Sequence, residues 1–240
     1  NFLNVYDAQT NFMRPRLSNG NFKTPFDPLD THGQGFIEGN AWNYSFYVPQ
    51  APQQLIKLMG SEKYFIPHLD SLFEMELPDR YFENTEDIMR SGIIGNYVHG
   101  NEPSHHIPYF YNFTSQPWKT QAATRMILNK QYSLKSEGMG GNDDCGQMSA
   151  WYIFSALGFY PFAPGSPNYA LTTPLVKKAT LQLDGQHTLQ IVTENNSDQN
   201  VYIQAVYWNG KRLSKPFISH LDLMQGGELR FILGPKPAQK

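Results

Sequence analysis

The chain has 240 residues, enough for one large domain or one and a half smaller ones, with 14% aromatic and 17% charged residues and a net charge of −2. Such a surface stacks on flat groups and hydrogen-bonds them, and it lacks the basic excess that grips phosphate, which argues against a nucleic-acid partner. The single cysteine, Cys145, excludes an intramolecular disulfide, and no apolar run is long enough for a membrane span.

The chain starts at Asn1 without a methionine, in a segment (Phe2, Leu3, Val5, Tyr6) that reads as the tail of an element already under way, as in a fragment. Residues 11–35 are dense in turn formers, among them Arg14-Pro15, Asn19-Gly20 and Asp27-Pro28, and Phe12, Met13, Phe22 and Phe26 predict an ordered, packed loop. Glu38-Gly39-Asn40 leads into residues 41–48, where Trp42 and Phe46 share one helical face and Pro49 ends the run. Two amphipathic helices follow over residues 53–59 and 63–73, with Ser61 as a cap and Pro67 interrupting the second.

A second acidic entry, His99-Gly100-Asn101-Glu102-Pro103-Ser104-His105-His106, precedes another expected aromatic helix over 107–113 and a mixed helix over 118–131. The third is Gly140-Gly141-Asn142-Asp143-Asp144-Cys145-Gly146, where glycines turn the chain and lift the acids to a loop crest before an apolar helix bounded by Gly158 and Pro161. Taken alone, Asp143 or Asp144 reads as a helix cap, and Cys145 as a small buried residue. Taken together, three acidic loops feeding three aromatic helices, with amphipathic helices between them, predict inner and outer helix pairs. If the aromatic helices run the same way, Glu38, Glu102 and Asp143 or Asp144 share one end and one pocket.

From about residue 165 the pattern changes to short strands near 179–183, 189–192, 201–208 and 229–233, with turn signals at Asp184-Gly185, Asn209-Gly210 and Gly226-Gly227. This predicts a small antiparallel β region that packs rather than reacts. The expected division is therefore 1–164 and 165–240. Asn43-Tyr44-Ser45 and Asn112-Phe113-Thr114 match the glycosylation pattern but fall in segments expected to be buried; Asn195-Asn196-Ser197 is a third match.

With these motifs in order, Glu38 to Trp42, His99 to Ile107 and Gly141 to Pro161, the chain resembles the C-terminal part of glycoside hydrolase family 92, the calcium-dependent exo-acting α-mannosidases. The resemblance implies part of an (α/α)6 catalytic barrel over 1–164, an N-terminal β-sandwich in the rest of the enzyme, and inversion at the anomeric carbon. Inversion needs a protonated carboxyl on the leaving oxygen and a second carboxylate that activates water from the opposite face. By resemblance Glu38 is the general acid and Asp144 the general base, with Asp143 the alternative base. Trp42 and Tyr44 would give the acid an apolar wall.

Members of the family often carry Asp-Glu-Asp where this chain has Asn142-Asp143-Asp144, so Asn142 would orient the water without sharing its proton. Calcium takes oxygen ligands, and Asn101 and Glu102 are the expected ones, with Asp143 a further candidate. The spacing of His99, His105 and His106 is not that of a zinc motif, and they are expected either to hydrogen-bond substrate, directly or from behind the residues that do, or to be core histidines, while Trp42 is expected to stack on a sugar face or, more in keeping with its type, to pack in the core. Gly100 would leave room for the leaving sugar, while Trp118 and Trp151 are core residues. The implied partners are mannose-containing glycans such as N-glycan or mannan chains, and the implied location is periplasmic, cell-surface or secreted. Two competing classes are another α-glycoside or mannosyl-phosphate hydrolase and a non-catalytic carbohydrate-binding fragment.

Overall fold

The computed structural model describes residues 1–81 and 90–238. The chain divides into two compact units, one formed by residues 1–107 and 131–148 and the other by 108–130 and 149–240.

In the first unit β1 (Tyr6–Asp7) pairs antiparallel with β2 (Phe12–Met13), and both strands are buried. Arg14 makes a 2.7 Å ion pair with buried Asp7, and its guanidinium lies over the rings of Phe22 and Phe26, so the turn-rich stretch is the ordered loop its aromatics predict. Helices α1 (Ala41–Ser45), α2 (Pro52–Leu58) and α3 (Glu62–Glu74) follow. Contrary to expectation, α3 runs through Pro67. It buries Phe65, Ile66, Leu69 and Leu72 along one face, which outweighs the one hydrogen bond the proline cannot make. A hairpin of β3 (Ile93–Ile94) and β4 (Tyr97–Val98) leads to a 3₁₀ turn at Glu102–Ser104.

In the second unit the aromatic run Ile107–Phe113 is a 3₁₀ helix rather than the expected α-helix. Pro108 supplies no N–H at its start. Long-range contacts then hold the run, with Tyr109 stacked on Tyr160 at 4.8 Å and Asn112 Nδ2 donating to the Leu171 carbonyl at 2.8 Å. That bond, with Asn112 buried, also removes Asn112 from the glycan acceptors. Helices α4 (Trp118–Gln131) and α5 (Gln147–Leu157) match their sequence patterns.

The strands β5 (Phe159–Tyr160), β6 (Asn168–Leu171), β7 (Lys178–Gln182), β8 (Thr188–Glu194), β9 (Tyr202–Trp208), β10 (Lys211–Arg212) and β11 (Phe217–Ser219), helix α6 (His220–Met224) and strand β12 (Gly227–Gly234) complete the chain. They form a three-stranded sheet, β11-β6-β5, and a five-stranded sheet, β10-β9-β12-β8-β7. The Asp184-Gly185 and Asn209-Gly210 signals turn the β7–β8 and β9–β10 hairpins.

Two expectations are corrected. The described residues do not form a portion of an (α/α)6 barrel; they make a mixed α and β fold, with strands in four sheets and α-helix confined to six segments. Two of the three aromatic stretches meant to be inner helices do not fill that role: α1 has five residues, and 107–113 winds as a 3₁₀ helix. Between them the Gly- and Pro-rich segments form hairpins and turns instead of helix pairs. The C-terminal region is also not purely antiparallel. After β9, β10, β11 and α6 the chain returns as β12, which inserts between β8 and β9, parallel to β8 and antiparallel to β9. Such a central strand is buried on alternate residues: Leu229, Phe231 and Leu233 face the core with Leu189 and Ile191.

That placement gives a direct test. Phe231→Ala should lower unfolding free energy by about 3–5 kcal/mol, because it empties a fully buried site in the central strand. Arg230→Ala, on the exposed face beside Glu228 and Glu194, should cost about 1 kcal/mol or less, both read from urea unfolding midpoints.

Candidate active site

The residues singled out from the three acidic loops all lie in the first unit. Asn40 starts α1 through a reciprocal box, its Oδ1 accepting from the Asn43 N–H at 3.3 Å and Asn43 Oδ1 accepting from the Asn40 N–H at 3.1 Å. The amide nitrogens then reach outward. Asn40 Nδ2 donates to the Leu29 carbonyl at 3.2 Å and to Asn96 Oδ1 at 3.0 Å, and Asn43 Nδ2 donates to the Asn96 carbonyl at 2.6 Å. From the next loop, Asn101 Nδ2 donates to the carbonyl of Glu38 at 2.8 Å. All four asparagines are buried, so the acid-bearing loop is fastened by neutral amides.

The backbone is unusual where the acids sit. Glu38 (φ 56°), Asp144 (φ 42°) and Cys145 (φ 60°) adopt the left-handed region. For a non-glycine residue this costs about 1–2 kcal/mol, and it persists only where the surroundings fix it. The carbonyl of Asp143 accepts the N–H groups of Gly146, Gln147 and Met148 at 3.1, 2.8 and 3.3 Å, which winds the chain into α5. Cys145 is exposed rather than buried as expected, because this left-handed turn carries it outward.

Glycine decides how closely the second and third loops approach. A Cβ on Gly141 would lie 2.6 Å from the Gly100 Cα, and one on Gly92 would lie 2.4 Å from the Gly140 carbonyl oxygen. The backbones therefore pack without side chains between them. Gly100 belongs to this contact, its own Cβ position being 3.2 Å from the Gly140 oxygen.

The consequence is electrostatic. Burial raises the Glu102 carboxyl above its ordinary range, and the charge of Asp144, a hydrogen bond with Asp144 and the charge of Glu38 act in the same direction. Acids from three separate loops thus share one neighbourhood. Glu38, Asn142, Asp143 and Asp144 are exposed in this chain, while Glu102 is half-buried. Tyr44 flanks Glu38: its hydroxyl donates to the Ile37 carbonyl, its ring stacks on Phe36 at 5.5 Å, and burial followed by the Glu38 charge raises its pKa. Trp42 instead stacks on His68 at 4.2 Å with the edge of Phe12 against it.

The three histidines are interior. The Tyr132 hydroxyl donates to the Met148 carbonyl at 3.0 Å, so its oxygen accepts from His99 Nε2–H at 2.8 Å, and His99 Nδ1 accepts from Tyr97 at 2.9 Å. His105 Nε2 donates to the His99 carbonyl and His106 Nε2 to the Phe46 carbonyl, both at 2.8 Å. Burial holds His99 well below its usual pKa and brings His105 and His106 to about 4. These rings are neutral and brace the loops. Asn96 and Tyr132 escaped the sequence reading. Gly95-Asn96 reads as an ordinary turn, and Tyr132 as the end of a helix.

The groups that act on Glu102 are the carboxylates of Asp144 and Glu38, oxygen donors of the type a hard cation takes. Among the described residues, however, no group of three or more His, Cys, Asp or Glu side chains gathers as a metal-holding set. Asn101 and Glu102 carry side-chain oxygens of the kind calcium takes.

Neutral buried histidines make stability depend on pH. Their folded pKa values lie below the unfolded value of about 6.5, so their contribution is complete above that value and is lost as pH falls through the window from about 6.5 to 4. At pH 5 His105 and His106 should each cost about 2 kcal/mol. The melting temperature should therefore be flat above about pH 7 and fall below 6.5. His106→Gln, which keeps a donor for Phe46, should make that fall shallower in a thermal melt series.

A family model described as the glycosyl hydrolase family 92 catalytic domain matches residues 1–235. An uncharacterized secreted glycosidase of Arthroderma benhamiae is 27% identical over 236 residues, 93% of this chain and 28% of that protein. An α-mannosidase of family GH92 from Bacteroides thetaiotaomicron, solved in complex with mannoimidazole, is 39% identical with a TM-score of 0.91, over 98% of this chain and 31% of that one. A family GH92 inverting mannosidase from the same organism is 36% identical with a TM-score of 0.85, over 98% of this chain and 32% of the other. The chain thus spans about a third of the length of these relatives. With the family model matching residues 1–235 and the three acidic loops brought together, the chain belongs to glycosyl hydrolase family 92.

Proposed function

We propose that this chain carries the acid- and base-bearing loops of an exo-acting, inverting, calcium-dependent α-mannosidase that releases mannose from glycans such as N-glycan or mannan chains. The observation that carries the reading is the convergence of Glu38, Glu102 and Asp144 from three loops, in a family whose solved members at 36–39% identity are mannosidases. Carboxylates on different loops can stand on opposite faces of one sugar, as inversion requires. Glu38 donates its proton to the leaving oxygen, and Asp144 takes the proton of the attacking water, with Asp143 the alternative base and Asn142 orienting that water.

Asn101 and Glu102 would hold calcium. Bound there, the ion would offset the crowded negative charge and grip sugar hydroxyls. The buried His99, His105 and His106 keep the loops in register, with any contact to substrate made through the main chain they hold. The remaining length present in the relatives would supply further walls of the sugar site around the exposed Glu38 and Asp144. Secretion to the periplasm, cell surface or medium agrees with the secreted relative. Among the described residues no helix is long and apolar enough to cross a membrane.

Hydrolysis of α-linked mannobioses by the full-length enzyme tests this reading. Glu38→Gln and Asp144→Asn should each lower kcat by about 100-fold or more. A chelator should abolish turnover and added calcium restore it. Turnover indifferent to chelator would remove calcium alone, while full activity in both variants would remove the acid and base assignments.

A further inference from the structure

Asn101 sits at the entry of the 3₁₀ turn Glu102–Ser104, where an asparagine side chain ordinarily accepts an N–H of the turn it precedes, yet it makes no such capping bond. Its amide nitrogen reaches 63 positions back along the chain and donates to the Glu38 carbonyl at 2.8 Å. That carbonyl belongs to a glutamate held at φ 56°, in a conformation such a residue leaves when nothing holds it. Asn101 is 6% exposed, so water does not readily replace the bond. The neighbouring fastenings through Asn40, Asn43 and Asn96 fix the start of α1, the Tyr44 hydroxyl holds the Ile37 carbonyl on the near side of Glu38, and Asn101 holds the carbonyl of Glu38 itself.

We infer that Asn101 is a positioning residue for the general acid: its side-chain N–H clamps the Glu38 peptide in the left-handed conformation and so aims the carboxyl at the leaving oxygen. The inference rests on the assignment of Glu38 as acid. It gives Asn101 a task separate from calcium, because the clamp uses the amide nitrogen and a metal would take the amide oxygen. Release of the clamp lets the Glu38 backbone relax and moves the carboxyl, and a misplacement on the order of 1 Å is enough to cost about 100-fold in rate.

Asn101→Asp separates the two tasks, since it keeps an oxygen for calcium and removes the donor. In the full-length enzyme, at saturating calcium, kcat on an α-mannobiose should fall by about 100-fold. On 2,4-dinitrophenyl α-mannoside, whose leaving group needs no proton, it should fall by less than about tenfold. Asn101→Ala should show the same split without the added charge, and it keeps the test open if the aspartate variant fails to fold. Equal losses on both substrates, or an Asn101→Asp loss that appears only below saturating calcium, would overturn the clamp. Glu38→Gln is the reference. If it shows the split and folded Asn101 variants do not, the clamp alone fails; if Glu38→Gln shows no split, the acid assignment fails and the clamp with it.

Discussion

Four buried asparagines hold the loop that carries Glu38, and the arrangement of the site depends on them. Asn40 and Asn43 close the start of α1, Asn96 ties both to the β3–β4 turn, and Asn101 bonds the Glu38 peptide. An amide both donates and accepts, so such a set can satisfy itself without adding a charge. An ion pair in the same place would bring a fixed charge next to Glu102, whose carboxyl already responds to Asp144 and Glu38. Neutral fastening leaves the electrostatics of the site to its own acids.

The third loop is positioned by a different device. Close contact of the Gly92, Gly100, Gly140 and Gly141 backbones brings the chain that leads to Asp144 against the chain that leads to Glu102. Both Glu38 and Asp144 sit in the left-handed region, so the two residues assigned to proton transfer are also two of the strained ones. The buried histidines extend this brace: His99 links Tyr97 to Tyr132, and His105 links back to the His99 carbonyl. Both ring nitrogens of His99 and both of His105 have protein partners, so these rings tie the loops to one another.

The second unit follows simpler rules. Its five-stranded sheet is organised by β12, whose alternate residues Leu229, Phe231 and Leu233 are buried while Arg230 pairs with Glu194 and Glu228 on the exposed face.

The sequence by itself determined the elements whose patterns are local and the three motifs that mark the family. Periodicity located α4 and α5, alternation located β7, β8, β9 and β12, and the Asp-Gly and Asn-Gly pairs located their turns. The acids Glu38, Glu102 and Asp144 were legible because charge at a glycine-bounded loop crest is unusual in a chain with so few charges. Tertiary structure decided the rest. The aromatic run at 107–113 looked helical but winds as 3₁₀ under contacts with Tyr160 and Leu171, and the expected ring of helix pairs gave way to hairpins and turns. The parallel pairing of β12 with β8 depends on a return path that no local pattern encodes. Asn96, Tyr132 and the clamp from Asn101 to Glu38 join residues tens of positions apart. Such partners are set by where the folded backbone leaves a buried carbonyl or ring nitrogen in need of one, and only the fold reveals that need.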